Sequence, residues 1–252
     1  MTENLFDLSD RVVIVTGASS GLGNQFARAL HGSGAQVVAV ARRKDRLDEL
    51  AASCAGIDVR ALDVSDDAGC VDLVESVLAT YGRIDGLVNN AGIGQPAPAV
   101  SEDIAEFRRV LDVNLTAVFH LARLVAPSMI EARRGSIVNI ASIYGLGSTY
   151  PVGDASYASS KGAVVNLTRD LAGQWGKFGV RVNAIAPGFF RSEMAEELFT
   201  NEKANQRISR ATPMRRTGEP GELDGALIYL LSDASSFVTG QTLAVDGGWT
   251  TH

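Results

Sequence analysis

The chain has 252 residues, 46% of them hydrophobic and 21% charged, with 26 glycines against 7 prolines. That length is roughly 1.7 average domains, which α/β folds reach as one unit, and the composition excludes disordered, collagen-like and coiled-coil classes. The formal charge of −6, from 23 basic and 29 acidic residues, comes without a basic face and argues against nucleic acid or anionic lipid as a partner.

The opening residues MTENLFDLSD lack a basic region followed by an apolar core. The longest uncharged apolar runs reach about ten residues, against the roughly 20 that span a bilayer, so no membrane partner and a cytoplasmic location are expected. Cys54 and Cys70 are too few for a disulfide framework, although a single bridge stays open, and a reducing compartment fits best. Neither they nor the dispersed His31, His120 and His252 have companions at metal-ligand spacing, so no metal is expected.

Short apolar, β-branched runs fall at residues 11–15, 36–41, 59–62, 86–88, 136–140, 180–186 and 242–245. Helical periodicity follows Gly23 and covers 68–80, 104–130, 155–178 and 222–231; within 155–178, Val164, Leu167, Leu171 and Trp175 form one apolar stripe. Strands alternating with amphipathic helices are the pattern of a parallel sheet covered by crossover helices. No linker, charge block or internal repeat interrupts the chain, so 1–252 reads as one doubly wound Rossmann-type α/β domain, with a seven-stranded parallel sheet and helices on both faces. The one long irregular stretch, 187–220, is of a length that is usually functional, and is expected to close over a substrate as a lid.

The motifs sit at the ends of these strands. VVIVTGASSGLG leads from the first strand into a helix, with Gly17, Gly21 and Gly23 in the turn. Glycines there let the backbone approach a pyrophosphate, and the helix N-terminus offers free N–H groups. Asn89-Asn90-Ala91-Gly92 ends the fourth strand, Asn114 lies in the next helix, Ser142 follows the fifth strand, Tyr157 and Lys161 stand four apart, and Pro187-Gly188 follows the sixth strand. Tyr157 and Lys161 at i, i+4 share a helix face. A tyrosine titrating near pH 10 is a poor acid or base at neutrality, and a neighbouring ammonium lowers that value.

The spacing T-G-x-x-x-G-x-G and the ordered motifs after it resemble the classical short-chain dehydrogenase/reductase family over nearly the whole chain, including members named gluconate 5-dehydrogenase and 3-oxoacyl-carrier-protein reductase. The resemblance implies an enzyme that interconverts a ketone and a secondary alcohol by hydride transfer. Tyr157 is then the general acid/base, Ser142 holds the substrate oxygen, Lys161 binds the nicotinamide ribose and tunes Tyr157, and Asn114 joins Lys161 to a water-mediated proton relay. It further implies cofactor contacts from Gly17, Ser19, Ser20, Gly21, Leu22, Gly23, Asp63, Val64, Asn90, Ala91, Gly92, Tyr157, Lys161, Pro187, Gly188 and Ser192.

At the end of the second strand an acidic residue would take the adenosine ribose 2′-OH, and an arginine a 2′-phosphate. Ala41 stands at the acidic position, with Arg42 and Arg43 after it, so NADP is expected, with NAD as the alternative. Ser142 and Tyr157 are 15 residues apart where the family more often has 13, which enlarges the loop beside the substrate. The expected pocket walls are Ile143, Tyr144, Tyr150, Val152, Phe189, Phe190 and Met194. Their aromatic content favours a ring-bearing, weakly polar ketone over a sugar acid, with Arg191 taken as solvated. Helices 104–130 and 155–178 match those that pair between subunits in the family, so a homotetramer is expected. The competing readings are an NAD-preferring alcohol dehydrogenase, a 3-oxoacyl-carrier-protein reductase, and a non-catalytic dinucleotide sensor, whose mark would be a broken catalytic set.

Overall fold

A computed structural model describes residues 4–150, 152–193 and 199–251. Seven strands, β1 (Val12–Thr16), β2 (Gln36–Ala41), β3 (Asp58–Ala61), β4 (Gly86–Asn89), β5 (Gly135–Ile140), β6 (Val180–Pro187) and β7 (Thr242–Val245), form one sheet in the order β3-β2-β1-β4-β5-β6-β7. Every pairing is parallel. The predicted strands differ from these only by a residue or so at their ends.

The sheet is buried on both faces because its strands alternate two apolar sets. Val13 and Val15 pack with Phe26 and Leu30 of helix α1 (Gly21–Gly32), with Leu47 and Leu50 of α2 (Lys44–Ser53), and with Leu227 and Leu230 of a later helix, Asp224–Leu231. Val12 and Ile14 point the other way. They pack with Leu73 and Val77 of α3 (Asp67–Tyr81), Leu121 and Val125 of Ala117–Glu131, and Leu171 of Ala155–Trp175. Burial of this kind stabilises by roughly 1.5–3 kcal/mol per large aliphatic side chain.

Three predicted elements need correction. Residues 104–130 are not one regular helix: α4 (Ile104–Leu111) and α5 (Ala117–Glu131) meet at a π-helical turn, Asp112–Thr116, whose extra residue rotates Asn114 inward. Taken together, Ile104–Glu131 is long and apolar enough to cross a membrane by composition, but Val118, Leu121, Ala122 and Val125 are buried within this chain. Helix α6 (Ala155–Trp175) ends in a separate 3₁₀ turn at Gly176–Phe178. Residues 187–220 are not irregular throughout, since they contain α7 (Glu202–Ala211); α8 (Asp224–Leu231) follows.

The reversal of strand order between β1 and β4 opens a crevice at their carboxyl ends, where open α/β sheets bind ligands. Thr16, at the end of β1, fastens its edges. Its Oγ1 accepts from the backbone N–H of Asn90 (3.0 Å) and Ala91 (3.1 Å), while Asn90 Nδ2 donates to the Thr16 carbonyl at 2.9 Å.

Candidate active site

That crevice continues into a cleft of about 780 Å³ running from Arg42, Arg43 and Asp63 at one end to Tyr144, Thr149 and Phe189 at the other. Its floor is the turn after β1. Gly17 has φ +69°, a conformation that disfavours a side chain, and a Cβ on Gly23 would lie 2.2 Å from the Gly17 carbonyl oxygen and 2.5 Å from Asn90 Nδ2. Helix α1 begins at this turn, and its N-cap, Ser20, makes no side-chain bond to the helix amides. A narrow backbone cradle at an uncapped helix N-terminus is the donor set that a pyrophosphate requires. All the residues expected to contact a dinucleotide line this cleft: Gly17, Ser19, Ser20, Gly21, Leu22, Gly23, Arg42, Arg43, Asp63, Val64, Asn90, Ala91, Gly92, Tyr157, Lys161, Pro187, Gly188 and Ser192.

In the other half of the cleft, Ser142 caps a 3₁₀ turn, Ile143–Gly145, by accepting from the Tyr144 N–H at 3.1 Å. Gly145 lies so close to α6 that a Cβ there would sit 2.6 Å from the Lys161 carbonyl oxygen, which presses the turn onto the helix. Ser142 is thereby brought to the side of the cleft that Tyr157 lines, and its hydroxyl partly offsets the effect of burial on the phenol. Lys161, buried, donates from Nζ to the Ile140 carbonyl at 2.7 Å, and its Nζ lies 5.6 Å from the centroid of the Tyr157 ring.

Electrostatics in the site differ from the expectation that Lys161 would lower Tyr157. Burial dominates both groups, pushing the Tyr157 phenol up to about 12 and the Lys161 ammonium down to about 8. Tyr157 is therefore protonated at neutral pH. A pH signature follows for Lys161, whose ordinary value is 10.5. Between about pH 8 and 10.5 the unfolded chain holds a proton on this lysine that the folded chain has released, so its contribution to stability grows as pH rises through that window and is lost as pH falls to 8. Urea unfolding of wild type and Lys161→Met between pH 7.5 and 9.5 should show the wild type gaining on the variant. Parallel stability curves would contradict the assignment. The raised Tyr157 acts with opposite sign, but only above about pH 10.

Asn114 is fully buried behind this group. Its Oδ1 accepts from the Ile93 N–H at 2.8 Å, and its Nδ2 donates to the Ile93 carbonyl (2.8 Å) and Ser160 Oγ (3.1 Å). Both amide donors are occupied within the protein. The side chain pins the strand-end loop over α6, leaving one lone pair of Oδ1 for any other partner.

Of the expected pocket walls, Ile143, Tyr144, Val152, Phe189 and Phe190 line the cleft. Tyr150 does not. Its neighbour Thr149 turns inward, with Oγ1 accepting from the Asp154 N–H at 3.0 Å, and the same turn leaves Tyr150 83% exposed. Phe190 is largely a core residue packed over Gly218. Met194 lies outside the described residues. Three further residues carry no motif. Asp154 is buried, accepts from the Tyr157 N–H at 3.2 Å and caps α6, and burial raises its carboxyl above the usual range. Trp249 stands edge-on to Phe189 at 4.8 Å, and Glu193 lies at the Arg43 end of the cleft. Among the described residues no cluster of His, Cys, Asp or Glu is arranged to hold a metal ion.

Comparison with known proteins agrees with this architecture. A family model described as enoyl-(acyl carrier protein) reductase matches residues 17–250. The chain is 39% identical to gluconate 5-dehydrogenase of Gluconobacter oxydans, over 98% of this chain and 97% of the relative. It is also 39% identical to the 3-oxoacyl-(acyl-carrier-protein) reductase of Thermotoga maritima, over 96% of this chain and 98% of the relative. The crystal structure of a gluconate 5-dehydrogenase from Burkholderia cenocepacia in complex with NADP and tartrate superposes with a TM-score of 0.93 at 36% identity, covering 98% of each chain.

Proposed function

For this chain, which belongs to the short-chain dehydrogenase/reductase family, we propose an NADP(H)-dependent oxidoreductase that reduces a ketone to a secondary alcohol, with Tyr157 as proton donor. The observation that carries the reading is the convergence of Ser142, Tyr157 and Lys161 on one end of a cleft whose other end is the glycine turn of β1 and the Arg42–Arg43 pair. The residues present fit a dinucleotide, as the cradle at Gly17 and Gly23 indicates, and its nicotinamide would supply or accept the hydride.

Within that reaction Ser142 donates to the carbonyl oxygen, and the Tyr157 hydroxyl supplies the proton as negative charge develops there. A phenol pushed up to about 12 stays protonated at neutral pH, the form that carbonyl reduction uses. Lys161, its ammonium pushed down to about 8 by burial, lies beside the Tyr157 ring and is assigned to replenish the proton and to hold a ribose hydroxyl. Arg42 and Arg43 recognise the 2′-phosphate, and NADP in the related crystal structure supports that preference. The whole chain, 1–252, is taken as one catalytic unit, and free Cys54 and Cys70 suit a cytoplasmic setting.

For the substrate, Tyr144, Phe189 and Ile143 favour a weakly polar ketone with an aromatic or alicyclic portion. Arg109 reaches this half of the cleft, but Glu106 holds it at 2.8 Å. Asp154 adds a carboxylate beside Tyr157 that disfavours an acid. Nicotinamide absorbance should record a higher kcat/KM for a cyclic or aryl ketone than for a keto-sugar acid, and higher with NADPH than with NADH. A clear preference for the acid would overturn the substrate class, and a tenfold preference for NADH would overturn the cofactor.

A homotetramer accompanies this reading. Ile104 and Phe119 expose apolar surface on the α4–α5 side, while Phe237 and Leu243 do so beside β7, the last strand of the sheet. Two separate apolar faces suit two sets of two-fold contacts. Light scattering at micromolar concentration should give the mass of four chains, and a monomeric mass would exclude it.

A further inference from the structure

The donors at the Arg43 end of the cleft already hold an anion, and it comes from the chain itself. Arg43 Nη1 donates to Glu193 Oε1 at 3.2 Å and Nη2 to Oε2 at 2.8 Å, a two-pronged contact between residues 150 positions apart. The same guanidinium reaches Ser20 Oγ at 2.7 Å and Ser19 Oγ at 3.1 Å. Arg42 stands beside this group, its Nη1 3.7 Å from Asp63 Oδ2. A guanidinium fork flanked by two hydroxyls at the edge of a nucleotide cleft is a donor set for a phosphate monoester, and a carboxylate is the side chain that best imitates one.

We propose that Glu193 is a cofactor-specificity residue, whose carboxylate competes with the 2′-phosphate of NADP(H) for the Arg43, Ser19 and Ser20 donors. This rests on the reading of Arg42 and Arg43 as a 2′-phosphate site. To bind there, the phosphate must displace the carboxylate or accept a second anion on the same guanidinium, and both weaken its hold. NAD(H) carries no 2′-phosphate and leaves the Arg43–Glu193 pair intact. Glu193 therefore narrows the advantage of NADP(H) over NAD(H), so that the preference of the site is set by a glutamate on the strand β6 exit as well as by the arginines after β2.

The Arg43 and Glu193 side chains are 43% and 55% exposed, which limits the size of the effect: an exposed pair is worth up to about fivefold in affinity. The test is equilibrium titration of NADP⁺, NAD⁺, 2′,5′-ADP and 5′-AMP against wild type, Glu193→Gln and Arg43→Ala, with melting temperatures recorded alongside. Glutamine keeps the size and one acceptor while removing the charge. Glu193→Gln should tighten NADP⁺ and 2′,5′-ADP by roughly threefold to fivefold and move NAD⁺ and 5′-AMP by less than twofold. Arg43→Ala should weaken only the two 2′-phosphorylated ligands. If Arg43→Ala behaves so but Glu193→Gln leaves the NADP⁺/NAD⁺ ratio unchanged, or weakens all four ligands alike, the role of Glu193 is refuted and the 2′-phosphate site stands. If wild type binds NADP⁺ and NAD⁺ equally and Arg43→Ala leaves that ratio unchanged, both are refuted.

Discussion

Phenylalanine in place of Tyr157 is expected to lower kcat by roughly 10²–10⁴-fold, the usual contribution of a positioned general acid, while the dissociation constant of the cofactor stays within about twofold. The substitution removes one hydroxyl and keeps the ring. That ring packs against Gly94, where a Cβ would lie 3.1 Å from Tyr157 Cδ2, and it remains on α6 through the Asp154 cap. The glycine turn, Arg42, Arg43 and Lys161 are untouched. Cofactor binding and catalysis should therefore separate, with binding read from titration and turnover from nicotinamide absorbance at saturating cofactor. Turnover within threefold of wild type would remove Tyr157 from its assigned role.

What the sequence could reveal of this fold follows from where its information is local. A parallel strand buried on both faces must be apolar at nearly every position, so β1, β2, β4, β5 and β6 stand out as runs. Helix α2 was not among the predicted helices because only Leu47 and Leu50 of its ten residues are buried, and α7 buries only Ile208. A stripe that thin has no visible period. The π turn at Asp112–Thr116 is equally silent, since it is fixed by the contact of Asn114 with Ile93 rather than by residues within the helix.

The site divides in the same way. The roles proposed for Gly17, Gly23, Tyr157 and Lys161 depend on spacing within one turn or one helix face, and spacing is legible. Thr149 and Tyr150 are adjacent in the chain and point in opposite directions, a difference that goes with the bond from the Asp154 N–H to Thr149 Oγ1 within the loop and that no periodicity announces. Trp249 reaches Phe189, and Glu193 reaches Arg43, only after the sheet has assembled. The low exposure of Lys161 is likewise a property of packing, which is why its own downward shift and the upward shift of Tyr157 run against the expectation drawn from their i, i+4 spacing.

Alanine at Gly23 is expected to weaken dinucleotide binding by roughly 5–150-fold, the equivalent of the ~1–3 kcal/mol that an overpacked position typically costs. The new Cβ would meet the Gly17 carbonyl oxygen at 2.2 Å and its carbon at 2.7 Å. Those are backbone atoms, so no side-chain rotation relieves the overlap and the turn between β1 and α1 must widen. Widening moves Gly17 and disturbs Asn90, whose Nδ2 would lie 2.5 Å from the same Cβ and which ties the turn to β4 through the Thr16 carbonyl. The damage therefore falls on the surface where a pyrophosphate would lie. Gly32, the last residue of the same helix, has nothing within 4 Å of its added Cβ. Gly32→Ala should leave binding unchanged and raise stability by up to ~1 kcal/mol through helix propensity alone. Titration of NADP⁺ and thermal unfolding of the two variants side by side decide the matter: equal affinities would show that the turn does not cradle the cofactor.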